Sequence, residues 1–187
     1  MRRDARENLS KLTAAAAQVF AAQGLGAPLD EIARTAGVST GTLYNRFGTR
    51  EALIDAVIPE LAASRMAEIA AEADAQPDPW SRFRCYVTGL LAMQAACPAL
   101  DDAIARRYPD SRQVATLCDG ALAHASRLLT AAQEAGTVRA DAGPADLTAL
   151  FLATSGILRS AGRTGDEAWK RHLGYVFDGL RAASAGK

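Results

Sequence analysis

The stretch from Leu29 to Leu53, LDEIARTAGVSTGTLYNRFGTREAL, limits what this chain can fold into more than any other. It reads as two short helices joined by a tight turn and followed at once by a third. Leu29, Ile32, Ala33 and Ala36 form the apolar face of the first helix. Asp30 and Glu31 lie in its first turn, where the helix dipole favours negative charge. Gly37 falls where that helix must stop, at a position that tolerates positive φ. Ser39 is a good N-cap for the second helix, and Val38 and Leu43 on either side of it have the spacing of a hydrophobic staple. Leu43 and Phe47 then make one apolar stripe, four residues apart.

The other side of the second helix carries the chemistry. At 100° per residue, Gly41, Thr42, Tyr44 and Asn45 point away from Leu43 and Phe47, flanked by Thr40 and Arg46. One aromatic, small hydroxyls, an amide and no carboxylate suit the major groove and its phosphate walls. Ala33, Gly37 and Leu43 have the spacing of a helix-turn-helix, whose two helices must approach closely. An αα-hairpin with no DNA role satisfies the same spacing.

The run IARTAGVSTGTLYNRFGTREAL resembles the DNA-binding motif of the TetR (tetracycline-repressor-like) family of bacterial transcriptional regulators. The resemblance rests on I-A-x-x-A-G-V-S-x-G-T-L-Y-x-x-F, then Arg50 just before an E-A-L helix start, and covers roughly the first third of the chain. It implies a DNA reader at residues 1–48 and a larger helical domain at 49–187 that binds an effector and dimerises. It also implies that Thr40, Gly41, Thr42, Tyr44 and Asn45 enter the major groove with Arg46 beside it, and that Ser39, Tyr44, Arg50 and Arg6 hold phosphates. Members usually carry Thr or Ser near the start of the first short helix, donating to a phosphate. This chain has Ala27, Pro28 and Leu29 there, so that backbone clamp is in question.

Composition sets the frame. With 49% hydrophobic, 22% charged and 6% aromatic residues, the chain is ordinary for a globular protein and favours close-packed helices over sheets. No apolar run reaches membrane-spanning length and no secretory leader pattern opens the chain, so a cytoplasmic protein without a membrane partner is expected. Cys85, Cys97 and Cys118 lack metal-ligand spacing and read as buried thiols, with a redox pair as the alternative. Formal net charge is zero, but residues 1–50 hold seven Lys or Arg against four acids, leaving a basic head on an acidic remainder.

Along the chain, Leu9, Leu12, Ala16, Val19 and Phe20 mark a helix from about Ala5 to Ala22, ended by Gly24, that should cover Ile32, Leu43 and Phe47. Arg6 near its start would serve equally as a solvated charge. Pro28 is expected at the first position of the next helix. Thr49 should cap a long helix to about Ala73, with Pro59 kinking it near Ala56–Ile58 or forcing a restart. After Gln76-Pro-Asp-Pro79, further helices are expected from Trp80 to near Cys97, over Ala99–Arg107, Ser111–Ala135, Ala145–Ala161 and Asp166–Ala183. The fold class is therefore all-α, about nine helices, with a three-helix helix-turn-helix domain ahead of a larger helical domain.

The last two helices are sharply patterned. Leu147, Leu150, Phe151, Thr154 and Leu158 share one face of the first, and Trp169, Leu173, Val176, Phe177 and Leu180 one face of the second. In the resembled family these helices pair with their copies in a dimer, and a two-fold dimer reads two half-sites. The same stripes would also suit the monomer's own core. Gly156, Gly174 and Gly179 each cost about 1 kcal/mol relative to alanine, which close approach to another helix would offset.

No catalytic constellation appears. His124 and His172 are isolated, and no Gly-rich phosphate loop, H-E-x-x-H or G-x-S-x-G occurs. Asp101-Asp102 reads as solvated first-turn charge after Pro98. No cofactor or metal is implied. Candidates to line an effector site are Met66, Trp80, Phe83, Tyr86, Met93, Tyr108, Cys118, His124 and Phe151, although each also sits at ordinary core spacing. The reading is a sequence-specific transcriptional regulator, a repressor released from its double-stranded operator by a small molecule. The alternatives are a helical small-molecule-binding protein or enzyme without DNA function, and a module whose Tyr44 face meets another protein.

Overall fold

The computed structural model describes residues 2–105, 110–161 and 167–182, with side chains from residue 8 onward except that of Ala161. Nine helices occur among them: α1 (Arg2–Gln23), α2 (Leu29–Ala36), α3 (Thr40–Phe47), α4 (Arg50–Asp74), α5 (Pro79–Ala96), α6 (Pro98–Ile104), α7 (Arg112–Glu134), α8 (Pro144–Ala161) and α9 (Ala168–Leu180). The fold is all-α. Its β structure among the described residues is one isolated bridge, Val138 to Arg181.

The chain forms two compact units, residues 1–64 with 97–117 and residues 65–96 with 118–187. In the first, α1 packs on α2 and α6, and α2 packs on α3. Leu12, Ala16, Val19 and Phe20 of α1 are buried together with Ile32, Ala33 and Leu43, the core expected from periodicity. Phe47 is only half-buried. Leu53, Ile54, Val57 and Ile58 of α4 and Ala99, Leu100 and Ala103 of α6 are also buried. α6 and the first turn of α7 thus belong to this unit, although they follow the head by fifty residues or more in sequence.

Several local expectations are corrected here. Pro28 is the N-cap of α2 and not its first residue, and it makes no side-chain cap hydrogen bond. α4 runs unbroken through Pro59, so no restart occurs; proline removes one ladder bond without ending a helix that burial holds. Asp101 is buried, and Asp102 Oδ2 accepts a hydrogen bond from the Leu25 amide at 2.9 Å, so this pair is not solvated charge. The N-terminus of α7 is capped from a distance: Asp55 Oδ1 of α4 accepts from the Gln113 and Val114 amides at 3.1 and 3.3 Å.

In the second unit α5 packs on α8, and α8 on α9. Trp80, Phe83 and Phe177 form an aromatic cluster with ring centroids 5.7 to 6.1 Å apart, and the Arg181 guanidinium lies 4.7 Å from the Trp80 ring. α7 ends in a Schellman motif. Gly136 has φ 70°, its amide donates to Gln133 O, and the Thr137 amide donates to Ala132 O. The following segment is tied to the end of α9 by Arg139 N to Leu180 O and Ala182 N to Thr137 O.

One close approach between α4 and α5 is not revealed by the periodicity. A Cβ on Gly89 of α5 would lie 2.7 Å from Cγ2 and 3.0 Å from Cγ1 of the fully buried Ile69 on α4. By contrast, Gly156, Gly174 and Gly179 meet nothing within 4 Å, so no helix of the described chain approaches them. Gly89→Ala should therefore destabilise the protein by about 1–2 kcal/mol, despite alanine's better helix propensity, because β-branched Ile69 cannot turn aside. Urea denaturation checks this. Combining it with Ile69→Ala should cost less than the sum of the two single changes, and simple additivity would refute the contact.

Candidate nucleic-acid interface

The reading element is built by its caps. α2 ends in a Schellman motif: Gly37 adopts φ 69°, its amide donates to Arg34 O at 3.1 Å, and the Val38 amide donates to Ala33 O at 3.0 Å. Two residues later Ser39 caps α3, with Oγ accepting from the Thr42 amide at 3.2 Å and lying 2.9 Å from Thr42 Oγ1. Gly48, at φ 75°, closes α3, and Thr49 Oγ1 accepts from the Ala52 amide to open α4. Leu43 is buried, which fixes the roll of α3.

That roll exposes the expected face. Gly41, Tyr44, Asn45 and Arg46 are exposed, Tyr44 by 51%, while Thr40 and Thr42 are half-buried. Tyr44 is one of the few large apolar side chains left exposed among the described residues, and α3 carries no acid. Arg34 of α2 is a further exposed cation, 3.8 Å from Glu31.

Two cations fare differently. The Arg6 side chain lies outside the described residues. Arg50 does not project freely: its Nη1 donates to Leu25 O at 2.8 Å and Ala27 O at 2.7 Å. It is half-buried and holds the α1–α2 loop, a role that the position of a basic residue before E-A-L does not disclose.

The effector candidates divide. Trp80, Phe83, Tyr86 and Phe151 are buried, the first two with Phe177 in the aromatic cluster. Met66, Met93, Cys118 and His124 are half-buried, and Tyr108 lies outside the described residues. The structure brings Tyr86 and His124 together, stacked at 4.4 Å and 19°. Burial, then the Arg127 charge, holds His124 below the ordinary imidazole range against the pull of Asp74. Burial also raises the Tyr86 phenol, opposed by Arg127.

The residues expected to meet a second copy, Leu147, Leu150, Phe151, Thr154, Leu158, Trp169, Leu173, Phe177 and Leu180, are all buried within the single chain; Val176 alone is half-exposed. Their bulk is used up in packing α8 on α9 and α5. The opposite sides of the same helices are open. Ala149, Leu152, Ala153 and Gly156 are exposed on α8 at i, i+3, i+4 and i+7, and His172, Tyr175, Val176 and Gly179 repeat that spacing on α9, half-exposed or exposed. Leu152 is 48% and Tyr175 72% exposed. A groove of about 470 Å³ lies between the two helices, lined among others by Ala149, Ala153, Val176 and Gly179, with Arg139, Asp141 and Asp146 also on its wall. On α8 this face is made mostly of small residues, Ala149, Ala153 and Gly156.

A short capped helix with an exposed, acid-free face, ahead of a helical body, defines a helix-turn-helix regulator. Residues 12–57 match the family described as bacterial regulatory proteins, tetR family, and residues 78–182 match that described as transcriptional regulator SbtR-like, C-terminal domain. A TetR transcription regulatory protein from Mycobacterium vanbaalenii is 35% identical over 96% of this chain and 98% of its own, with a TM-score of 0.51. A TetR transcriptional regulator from Streptomyces coelicolor is 34% identical over 94% and 99%, with a TM-score of 0.55. The regulator FadR from Bacillus subtilis, solved with stearoyl-CoA, shares the fold at 14% identity, covering 91% and 96%, with a TM-score of 0.67. No curated protein matches. The chain belongs to the TetR family: it is a DNA-binding transcriptional regulator and not an enzyme. Effector-controlled repression and dimerisation are typical of that family.

The depressed His124 sets a sign for pH dependence. A base whose folded pKa lies below its unfolded value resists protonation in the fold, so the unfolded chain binds more protons in that window. Stability is then full above the unfolded value of 6.5, falls as pH drops through it, and levels off below the folded value. His124→Gln should flatten that part of the melting-temperature profile between about pH 7.5 and 5. An unchanged profile would place the acid loss elsewhere.

Proposed function

We propose that this protein is a repressor that binds a pseudo-palindromic operator as a homodimer and leaves it when a small molecule binds the body. The observation that carries the DNA reading is the α3 surface: Gly41, Tyr44, Asn45 and Arg46 stand clear of the fold on a helix with no acid. In this reading residues 1–48 are the reader and 49–187 the effector-binding and dimerising body. The protein works in the cytoplasm, where its operator is. Thr40, Gly41, Thr42, Tyr44 and Asn45 face the major groove. Nothing within the protein crowds Gly41, since a Cβ there meets only Ser39 Oγ at 3.7 Å, so its smallness serves close approach of DNA. Tyr44, Ser39, Arg46 and the exposed Arg34 meet phosphates. Arg50 leaves that group because its Nη1 is committed to two carbonyls.

The second copy docks on the exposed α8–α9 face. Ala149, Ala153 and Gly156 on α8 and Gly179 on α9 allow helices to pack at close range, and Leu152 and Tyr175 would gain burial there. One recognition helix reads only a few base pairs, so two-fold pairing supplies the second half-site. For the effector, the half-buried Met66, Met93, Cys118 and His124 are the better contacts, because Trp80, Phe83 and Tyr86 are core. A ligand that prefers one arrangement of the body shifts the population away from the DNA-matched dimer.

Two experiments test this. DNA selected by the wild-type protein from a random-sequence pool serves as probe in fluorescence polarisation. Tyr44→Ala should weaken binding by at least about ten-fold while the protein stays folded and dimeric, and Asn45→Ala should alter sequence preference more than the salt slope. Wild-type affinity in Tyr44→Ala, or unaltered preference in Asn45→Ala, would reject the face as the reader. For the dimer, Ala153→Arg should give monomers by light scattering with a normal far-ultraviolet spectrum. Leu158→Ala, buried in the chain, should cost about 2–5 kcal/mol without changing the oligomeric state. A dimeric Ala153→Arg would put the interface elsewhere.

A further inference from the structure

The loop between α1 and α2, residues 24–28, is held by side chains that are distant in sequence. α2 begins without a cap of its own, since Pro28 offers neither a side-chain acceptor nor an amide. Two charged groups hold instead the loop that leads into it. From the first turn of α4, Arg50 Nη1 donates to Leu25 O at 2.8 Å and to Ala27 O at 2.7 Å. From α6, Asp102 Oδ2 accepts from the Leu25 amide at 2.9 Å. The backbone of Leu25 is thus gripped on both sides, its carbonyl by a cation and its amide by an anion. Its side chain is fully buried beneath them. Gly24 completes the fit: it turns at φ 86°, and a Cβ there would lie 2.5 Å from Asp102 Oδ2.

We infer that Asp102 and Arg50 are positioning residues for DNA reading: together they fix the α1–α2 loop, and with it the angle at which α2 and α3 are presented, although neither meets DNA. The chemistry distinguishes this from the roles their charges suggest. If Arg50 were a phosphate ligand, lysine could replace it, because a point charge suffices for that contact. Bridging two carbonyls from one terminal nitrogen at the end of a planar fork is harder for lysine to reproduce. If Asp102 acted on DNA only through its field, its removal would strengthen binding to any duplex, since it is an anion in a DNA-binding unit. As a positioning group its removal weakens binding, and only where the match between reader and sequence matters.

The test uses the full-length protein, the duplex selected from a random pool and a scrambled duplex. Asp102→Ala should bind the selected duplex about ten-fold more weakly and the scrambled one unchanged, the scale of one charge-assisted hydrogen bond. Asp102→Asn, which loses the same charge but keeps an acceptor for the Leu25 amide, should recover most of the loss. Hydrogen exchange at the Leu25 amide should be faster in Asp102→Ala and near wild type in Asp102→Asn. Arg50→Lys should lose selected-duplex affinity by a similar factor with an unchanged salt slope, and this arm stands even if Asp102→Ala does not fold. Equal or tighter binding by Asp102→Ala, identical behaviour of the alanine and asparagine variants, or full function in Arg50→Lys would overturn the inference.

Discussion

Helices of eight residues do not hold themselves in water, because the cost of nucleation is spread over too few hydrogen bonds. α2 and α3 are both that short, so everything the protein does at DNA depends on how their ends are fixed and what covers their inner faces. The turn between them is closed by its own residues: the Schellman motif at Gly37 and the Ser39 cap satisfy backbone groups on either side within a few positions. The start of α2 is not. There Pro28 gives no side-chain cap, and the loop that leads into the helix is held from α4 and α6, through Arg50 and Asp102. One end of the reading element is thus locally encoded and the other is a tertiary construction. α6, which lies far along the chain, packs on α1 through Ala99, Leu100 and Ala103 and so brings Asp102 to this loop.

That division also marks what could be read from sequence. Gly37, Ser39 and the Leu43 stripe were legible because a cap is a relation between residues two to four apart, and residue type alone nearly fixes the conformation. The roll of α3, and hence the exposure of Tyr44 and Asn45, followed from the same local pattern. Asp102 was not legible, since two carboxylates after a proline look the same whether they face water or an amide seventy-seven residues upstream. The loop contacts of Arg50 were hidden for a related reason: a cation beside a DNA-reading helix invites a phosphate role, and its two carbonyl partners lie more than twenty residues away. Pro59 shows the converse. Its local cost is real, yet burial of Val57, Ile58 and Ala62 around it outweighs one missing ladder bond.

α8 and α9 pose a sharper problem, because both of their faces are apolar in different ways. The inward face carries Leu, Phe and Trp; the outward face carries Ala149, Leu152, Ala153 and Gly156 on α8 and His172, Tyr175, Val176 and Gly179 on α9. A search for the strongest hydrophobic stripe finds the inward one, since transfer energy scales with area. Bulk, however, is what a chain needs to fill its own interior. Two rigid surfaces that meet after folding gain by bringing backbones close, and small residues serve that. Gly156 and Gly179, which look like a cost in the isolated helices, lie on that outward face with open space above them. The stripe that stabilises the protomer and the stripe proposed to pair it are therefore different sets of residues on the same two helices. Substitutions can then separate folding from association, and a regulator whose affinity depends on the spacing of two readers has reason to keep those functions apart.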